Sequence, residues 1–402
     1  MSNAELTTHE VDASSPISAL ATISVETPAF VYDESRIIAA ALRASTAASQ
    51  AGCKVLYSLK SFAMVGGLRL LADRVAGFAA SSVFEARLAR QVLGEGGQVH
   101  ASLPAASEAD IESLNTLCDY ITFNSLSQWS RLQPLARNAS CGLRLNPQLS
   151  FVADPRYDPC RIGTKLGVTP SLFTCAWNSD ASLASNLRGI HFHSNCDSED
   201  LGQLYETTAH LSDSLGPDVL DRLEWINLGG GYLFVEGQAI SGLTRAVELL
   251  IDKHRLEVFI EPGASIVRDA GYLIATVLDI FSSDGQSVAV LDTSVNHLPE
   301  VFEYEYQPEV VGLAPDGAYA YTLAGNSCLA GDLFGRYAFA EPLSIGAHVI
   351  FRNVGAYSIV RANTFNGIGL PAVYALTQTG QTLLQRRFTY EDFSHSCGVG
   401  PV

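Results

Sequence analysis

The chain has 402 residues, of which 47% are hydrophobic and 17% are charged, so it is long enough to form two domains with buried cores. A formal net charge of -17 argues against nucleic acid or an anionic membrane surface as the main partner, because both require a basic face, whereas a cationic small molecule is compatible with it. The eight cysteines form no CxxC pair, and the chain shows neither a signal peptide nor an apolar run of membrane-spanning length, which predicts a cytoplasmic protein with reduced thiols and no metal site.

Between residues 28 and 265, eight short β-prone segments alternate with longer segments of helical period. The segments are KVLYSL, VAGFAAS, QVHASL, DYITFN, CGLRLN, RGIHFHS, EWINLGG and LEVFIEP, which start at residues 54, 75, 98, 119, 141, 188, 224 and 256. Helix signals lie between them, such as Ser107 as an N-cap with Asp110 three residues later. Eight strand-then-helix units predict a closed (β/α)8 barrel of the TIM type.

After residue 265 the pattern changes to β-like runs separated by Gly, Pro, Asp and Asn. These runs are YLIATVLDIFSS, SVAVLDTS, AYAYTLAG, AHVIFRNVG and AYSIVRAN. We predict a barrel over residues 28–265 and a β-sandwich or β-barrel domain over residues 266–402. Residues 1–27 are expected to join that second domain, which would complete the active site and the dimer interface.

Reactive residues follow several of the predicted barrel strands. Lys60, Ser81, His193, the glycines 229–231 and Glu261 each stand where a strand ends, and in such barrels these ends meet on one face. Each residue alone has a simpler interpretation: a lysine leaving a strand toward solvent, a core histidine, a flexible turn, or a helix cap. Their convergence on one rim favours a shared function.

Pyridoxal 5'-phosphate has four parts that match these residues. Lys60 offers an amine for a Schiff base with the aldehyde, and burial would lower its pKa and free that amine. The three successive N–H groups of residues 229–231 suit a phosphate. Glu261 would keep the pyridine nitrogen protonated, and His193 would stack on the ring. Ser81 is included among the expected cofactor contacts.

The segments YSLKSF, GIHFH, INLGGGY, EPG, AGNSCLAGD and GAYSIVRANTFNG resemble the fold type III pyridoxal-phosphate-dependent decarboxylases, the alanine racemase-like barrel enzymes. Ornithine, arginine and diaminopimelate decarboxylases belong to this family. The segments LDTSVNHLPEV, DPCRIGTKLGV and CLAGDLFGRY are most similar to its carboxynorspermidine (carboxyspermidine) decarboxylases. The resemblance covers residues 27–369 and implies the roles already given to Lys60, His193 and Glu261.

The resemblance also implies contacts that join two subunits. Cys328 resembles the thiol that such decarboxylases insert from the neighbouring subunit to protonate the carbanion left after decarboxylation, and Tyr357 resembles the tyrosine beside the phosphate. Both imply a homodimer with shared active sites. Lys165 and Asp332 resemble an ion pair between subunits. The simpler interpretations are a buried thiol, a core tyrosine and a surface lysine.

Two positions depart from the pattern of the family. Many relatives have EPGR, with the arginine on the phosphate, but this chain has Ala264. Where relatives have HxGS, this chain has Asn195 and Cys196. The phosphate contacts are therefore expected to differ in part.

The resemblance implies decarboxylation of carboxynorspermidine or carboxyspermidine to the polyamine and carbon dioxide. Asp292, His297, Glu300 and Asp332 are the candidates for binding the ammonium groups of such a substrate, although solvated acids on a loop are an equal interpretation. The alternatives are a decarboxylase of diaminopimelate, ornithine or arginine, a racemase with a second acid-base group, and a non-catalytic homologue that binds pyridoxal phosphate.

Overall fold

A computed structural model describes residues 25–400. Residues 1–24, where we predict no signal peptide, lie outside the described residues, as do residues 401 and 402. The chain divides into two compact units. Among the described residues, the barrel unit comprises residues 34–271 and 355–360, and the sheet unit comprises residues 25–33, 272–354 and 361–400.

The strands and helices of the described residues are numbered in chain order. The strands are β1 (Ala29–Asp33), β2 (Lys54–Ser58), β3 (Gly77–Ala80), β4 (Gln98–Ser102), β5 (Tyr120–Phe123), β6 (Ser140–Arg144), β7 (Gly189–His191), β8 (Trp225–Asn227), β9 (Glu257–Ile260), β10 (Gly271–Ser283), β11 (Gln286–Leu291), β12 (Tyr319–Ala324), β13 (Leu333–Phe339), β14 (His348–Arg352), β15 (Ala372–Leu376) and β16 (Thr382–Arg386). The α-helices are α1 (Glu34–Ala51), α2 (Val65–Ala72), α3 (Val83–Leu93), α4 (Glu108–Leu117), α5 (Leu126–Leu132), α6 (Pro170–Ser179), α7 (Ala181–Asn186), α8 (Leu201–Leu215), α9 (Pro217–Leu220), α10 (Ser241–His254), α11 (Ala264–Val267), α12 (Pro299–Tyr304) and α13 (Tyr390–Ser396).

The strands β2 to β9 form a closed parallel barrel, in which β9 pairs with β2. Each of the eight predicted segments contains one of these strands, except that β6 begins one residue before its segment, so the prediction of a TIM-like barrel is confirmed. The predicted start of α4 is also present. The Ser107 side chain accepts the backbone N–H of Asp110 at 3.2 Å, and the Asp110 carboxylate accepts the N–H of Ser107 at 2.8 Å. This reciprocal pair satisfies N–H groups that the first helical turn leaves free.

A single indole ring fills much of the barrel interior. Trp225 is 1% exposed, packs against Leu56 and Phe259, and donates its Nε1–H to Ser140 Oγ at 2.8 Å. A Cβ atom on Gly142 of β6 or Gly189 of β7 would lie 2.3 or 2.1 Å from this ring. A side chain at either position would clash with the Trp225 ring, so both residues must be glycine. The barrel interior is thus a packed core.

The sheet unit contains one eight-stranded sheet in the order β13, β12, β11, β10, β1, β15 and β16, with β14 also paired to β10. Most of its pairs are antiparallel, whereas β1 with β15 and β11 with β12 are parallel. The predicted second, β-rich domain is therefore present. None of the helices in residues 25–400 has both the length and the hydropathy that a membrane span requires.

The structure differs from the predicted domain boundaries at three places. Residues 266–271 were expected in the second domain but belong to the barrel unit. Residues 29–33 were expected in the barrel, but Ala29 pairs with Ala372, which places β1 in the sheet unit. The segment AYSIVRAN was expected to be a strand, but residues 355–360 form turns that belong to the barrel unit. Tyr357 has a φ of 57°, which a strand does not allow, and its N–H donates to the Ser61 carbonyl at 2.8 Å.

Candidate active site

A pocket lies at the carboxyl ends of the barrel strands. Lys60, His193, Gly231, Glu261 and Tyr357 all line it. All five come from the barrel unit, so the fold brings together most of the cofactor contacts predicted from the sequence.

Lys60 lies in the short 3₁₀ helix Leu59–Ser61 that directly follows β2. The Ser61 hydroxyl donates to the Ser58 carbonyl at 2.8 Å and closes this turn. The Lys60 side chain is accessible to the solvent in the pocket, but protein atoms surround it on the other sides. This desolvation lowers the pKa of its ammonium group below the usual value, against the opposing charge of Glu261.

His193 has a defined tautomer in this pocket. Its Nδ1 accepts the N–H of Gly230 at 3.0 Å, so a neutral ring carries its proton on Nε2. Burial, together with the nearby cations of Lys60 and Arg144, holds the pKa of His193 well below its usual range. The imidazole is therefore neutral near pH 7.

Asn227, the last residue of β8, connects Glu261 to the glycine loop. Its Nδ2 donates to Glu261 Oε1 at 2.7 Å, and its Oδ1 accepts the N–H of Gly229 at 2.9 Å. Burial raises the pKa of the Glu261 carboxyl, whereas Lys60, Asn227 and Arg144 lower it. Asn227 thus fixes the orientation of the carboxylate.

The sequence analysis did not assign a role to three polar residues near this pocket, although all three end a barrel strand. Arg144, His191 and Asn227 are the last residues of β6, β7 and β8, and Glu261 directly follows β9. The His191 Nε2 lies 3.9 Å from Glu261 Oε2, and burial lowers the pKa of His191 well below its usual range. Polar residues that end consecutive apolar strands mark the same layer of the barrel.

The glycines 229–231 allow the strand ends to approach each other closely. A Cβ atom would lie 2.2 Å from the Phe192 carbonyl oxygen at Gly229, 2.2 Å from that of Glu261 at Gly230 and 2.0 Å from that of Asn195 at Gly231. Since Asn227 and His193 accept the N–H groups of Gly229 and Gly230, the expectation that all three N–H groups face a phosphate is wrong for these two.

The remaining pocket wall contains small and polar residues. Gly263, Ala264 and Ser265 line it at the start of α11, and Asn195 and Cys196 line it after β7. The Asn195 side chain accepts the N–H of Cys196 at 2.9 Å, which orders the turn where the sequence departs from the family pattern.

Two of the predicted residues in the barrel unit lie apart from this pocket. Ser81 is exposed, does not line the pocket and donates its N–H to Glu85 Oε2 at 2.6 Å. Lys165 is exposed, and its carbonyl accepts the Asn124 Nδ2–H at 2.8 Å. The pairing of Lys165 with a second subunit stays a prediction.

The other candidates lie in the sheet unit, and Cys328 is exposed there. The N–H of Cys328 donates to Asn366 Oδ1 at 2.9 Å. The loop around it is held by Asp332, which is 2% exposed and accepts the N–H groups of Ser327 at 3.0 Å and Val295 at 2.7 Å. The carboxylate of Asp332 therefore organises the turn that carries the thiol.

The three further substrate candidates are also engaged within the sheet unit. Each makes a defined contact: Asp292 Oδ1 accepts the Thr276 N–H at 2.8 Å, His297 Nδ1 is hydrogen-bonded to Thr293 Oγ1 at 2.8 Å, and Glu300 Oε1 pairs with Arg361 Nη1 at 2.9 Å. His297 is fully buried. The substrate-binding roles of these residues stay predictions.

The chemistry of the pocket fits pyridoxal phosphate. A lysine with a lowered pKa, a carboxylate oriented by an amide, a neutral imidazole and a wall of glycine backbone are the partners that its aldehyde, ring nitrogen, ring face and phosphate require. Among residues 25–400, no group of three or more His, Cys, Asp or Glu side chains is arranged to hold a metal ion.

Comparison with known proteins agrees with this chemistry. Residues 34–268 match the family described as pyridoxal-dependent decarboxylase, pyridoxal binding domain. The chain is 34% identical to carboxyaminopropylagmatine decarboxylase of Synechocystis sp., over 93% of this chain and 96% of that protein. It is 30% identical to carboxynorspermidine/carboxyspermidine decarboxylase of Campylobacter jejuni, over 92% of this chain and 98% of that protein.

A solved structure is similar along nearly the same length. The crystal structure of carboxynorspermidine decarboxylase from Campylobacter jejuni, complexed with norspermidine, superposes with a TM-score of 0.84 at 29% identity. The similarity covers 92% of this chain and 100% of that one. The similarity therefore extends over residues of both units.

Proposed function

Because this chain belongs to the pyridoxal-dependent decarboxylase family, we propose that it removes the carboxyl group from a carboxylated polyamine and releases the polyamine and carbon dioxide. The observation that carries the proposal is that Lys60, His193 and Glu261 line one pocket, in a chain that matches such decarboxylases along more than nine-tenths of its length. Carboxynorspermidine, carboxyspermidine and carboxyaminopropylagmatine are the candidate substrates.

Bound pyridoxal phosphate supplies an aldehyde and an electron-accepting ring. Lys60 offers the amine that holds the aldehyde, because desolvation favours its neutral form. Glu261, oriented by Asn227, provides the negative charge that keeps a proton on the ring nitrogen. The neutral His193 ring would pack on the face of the cofactor, where a cationic imidazole would disfavour a protonated pyridine. Tyr357 and residues 263–265, which line the pocket, would hold the phosphate.

The protein acts as a homodimer in which Cys328 of one subunit completes the site of the other. The exposed thiol on a turn ordered by Asp332 supports this part of the proposal, since a proton donor must reach a site from a fixed position. Its role is to donate a proton to the carbon that loses the carboxylate. A cytoplasmic location stays a prediction.

Replacing Cys328 with alanine is expected to lower the formation of the amine product about 100-fold, because a positioned proton donor is removed. Product formation is measured by chromatography beside carbon dioxide release. Cys397→Ala, which also removes an exposed thiol, is the control and should behave as the wild type. Mixing Lys60→Ala and Cys328→Ala subunits should restore part of the activity. Full activity of Cys328→Ala, or no recovery on mixing, contradicts the shared site.

The substrate is tested by carbon dioxide release from the three carboxylated polyamines and from diaminopimelate, ornithine and arginine. We expect kcat/KM to be at least about 100-fold higher for one of the polyamines, since a site built to pair with the additional amine groups rejects substrates that lack them. A preference for diaminopimelate, ornithine or arginine would refute the proposed substrate class. Bound cofactor without any turnover would favour the non-catalytic homologue.

A further inference from the structure

A carboxylate stands at the edge of the cofactor pocket. Asp197, which follows Cys196 in the turn after β7, lines the same pocket as Lys60 and Tyr357. Burial raises the pKa of Asp197, and the nearby charge of Arg268 lowers it. A phosphate monoester carries nearly two negative charges at neutral pH. A dianion bound beside Asp197 therefore requires a cation close by.

Arg268 is a cation that contacts this carboxylate. Its Nη1 lies 3.7 Å from Asp197 Oδ2, and its Nε donates to Asp269 Oδ1 at 3.1 Å. The Arg268 side chain is 34% exposed, and its partner Asp197 lines the pocket. These contacts involve two nitrogen atoms of the guanidinium group. The group is planar and has five N–H donors, a geometry that suits phosphate oxygens.

Arg268 is close in the sequence to residues of the pocket wall. It directly follows α11 and comes four residues after Ala264, which begins that helix and lines the pocket. Side chains four residues apart lie on one face of a helix and lean toward its N-terminus. Arg268 thus lies one helical turn after the position at which many relatives carry an arginine.

Two other cations lie near the pocket, but each interacts with groups other than Asp197. Lys60 provides the amine for the aldehyde, and Arg144 ends β6, where its charge acts on Glu261 and His191. Neither lies in the turn that carries Asp197.

We propose that Arg268, held at the pocket edge by Asp197, supplies the positive charge that balances the cofactor's phosphate in this chain. It does so in place of the arginine that many relatives carry at the position of Ala264. The inference rests on the cofactor of the proposed function and is independent of the substrate.

The test compares two ligands that differ only in the phosphate. The dissociation constants of pyridoxal phosphate and pyridoxal are measured by equilibrium dialysis with cofactor-free protein and no substrate. In Arg268→Met we expect the constant for pyridoxal phosphate to rise about 10-fold or more, while that for pyridoxal changes less than about twofold. Arg268→Lys should retain part of the affinity for the phosphate, because lysine keeps the positive charge but lacks the planar guanidinium group that can form two parallel hydrogen bonds.

Arg90→Met is the matched control, since Arg90 is also a partly exposed arginine of the barrel unit and pairs with Asp119 at 2.8 Å. It should leave both constants unchanged. An unchanged ratio of the two constants in Arg268→Met overturns the inference, whether both ligands bind normally or both bind more weakly. A wild-type protein that does not bind pyridoxal phosphate would instead refute the cofactor of the proposed function.

Discussion

Lys60→Ala is expected to lower kcat for decarboxylation at least about 1,000-fold, because it removes the amine that holds the aldehyde of the cofactor. Desolvation prepares this amine by lowering its pKa, and among residues 25–400 no other lysine lines the pocket. The activity is measured as carbon dioxide release at saturating cofactor. Borohydride reduction of the wild type, followed by peptide mass spectrometry, should place the cofactor mass on the peptide that contains Lys60.

Lys54→Ala is the matched control, because Lys54 is the first residue of β2 and lies at the opposite end of the barrel from Lys60. It forms an ion pair with Glu257 on the barrel surface, where exposed pairs contribute about 1 kcal/mol or less to stability. The variant should therefore keep wild-type activity. An active Lys60→Ala enzyme, or cofactor attached to another lysine, would contradict the proposed site.

Glu261→Gln should lower kcat about 100-fold while the affinity for pyridoxal phosphate changes much less. Glutamine keeps the size of the side chain and an oxygen that can accept the Asn227 amide, but it lacks the negative charge that holds a proton on the ring nitrogen. The loss is therefore expected in the chemical step. Steady-state kinetics and equilibrium dialysis of the same preparation separate the two effects.

Glu257→Gln is the control for this second variant, since Glu257 is the first residue of β9, the strand that Glu261 follows. It changes the same chemical group at the other end of one strand and should leave kcat unchanged. If Glu261→Gln instead weakens cofactor binding and leaves kcat intact, the carboxylate acts in binding and its proposed role is wrong.

The sequence predicted the barrel and the central part of the pocket because strand ends in such a fold have a known position. Lys60, His193 and Glu261 were found by what directly follows apolar segments, and all three line one pocket. Arg144 and Asn227 carry the same signal but lie inside the predicted segments CGLRLN and EWINLGG. A charged or amide residue within a buried strand is as informative as one after it.

The sheet unit was less predictable because its contacts join residues far apart in the chain. Glu300 pairs with Arg361, and Asp332 accepts the N–H of Val295, neither of which a local pattern reveals.

The composition of the segment around Tyr357 favours a strand, but a backbone hydrogen bond to Ser61 selects a left-handed conformation instead. Tertiary contacts overrode local preference at that segment.

The indole of Trp225 has a consequence for the shape of any substrate that this enzyme accepts. The Trp225 ring and its aromatic neighbours occupy the barrel axis. A long linear amine therefore cannot extend past the reacting carbon into the barrel interior. Its distal end must project outward, away from the axis. Selection by chain length is therefore a property of the surroundings of the barrel mouth, and redesign for longer or shorter amines should leave the interior untouched.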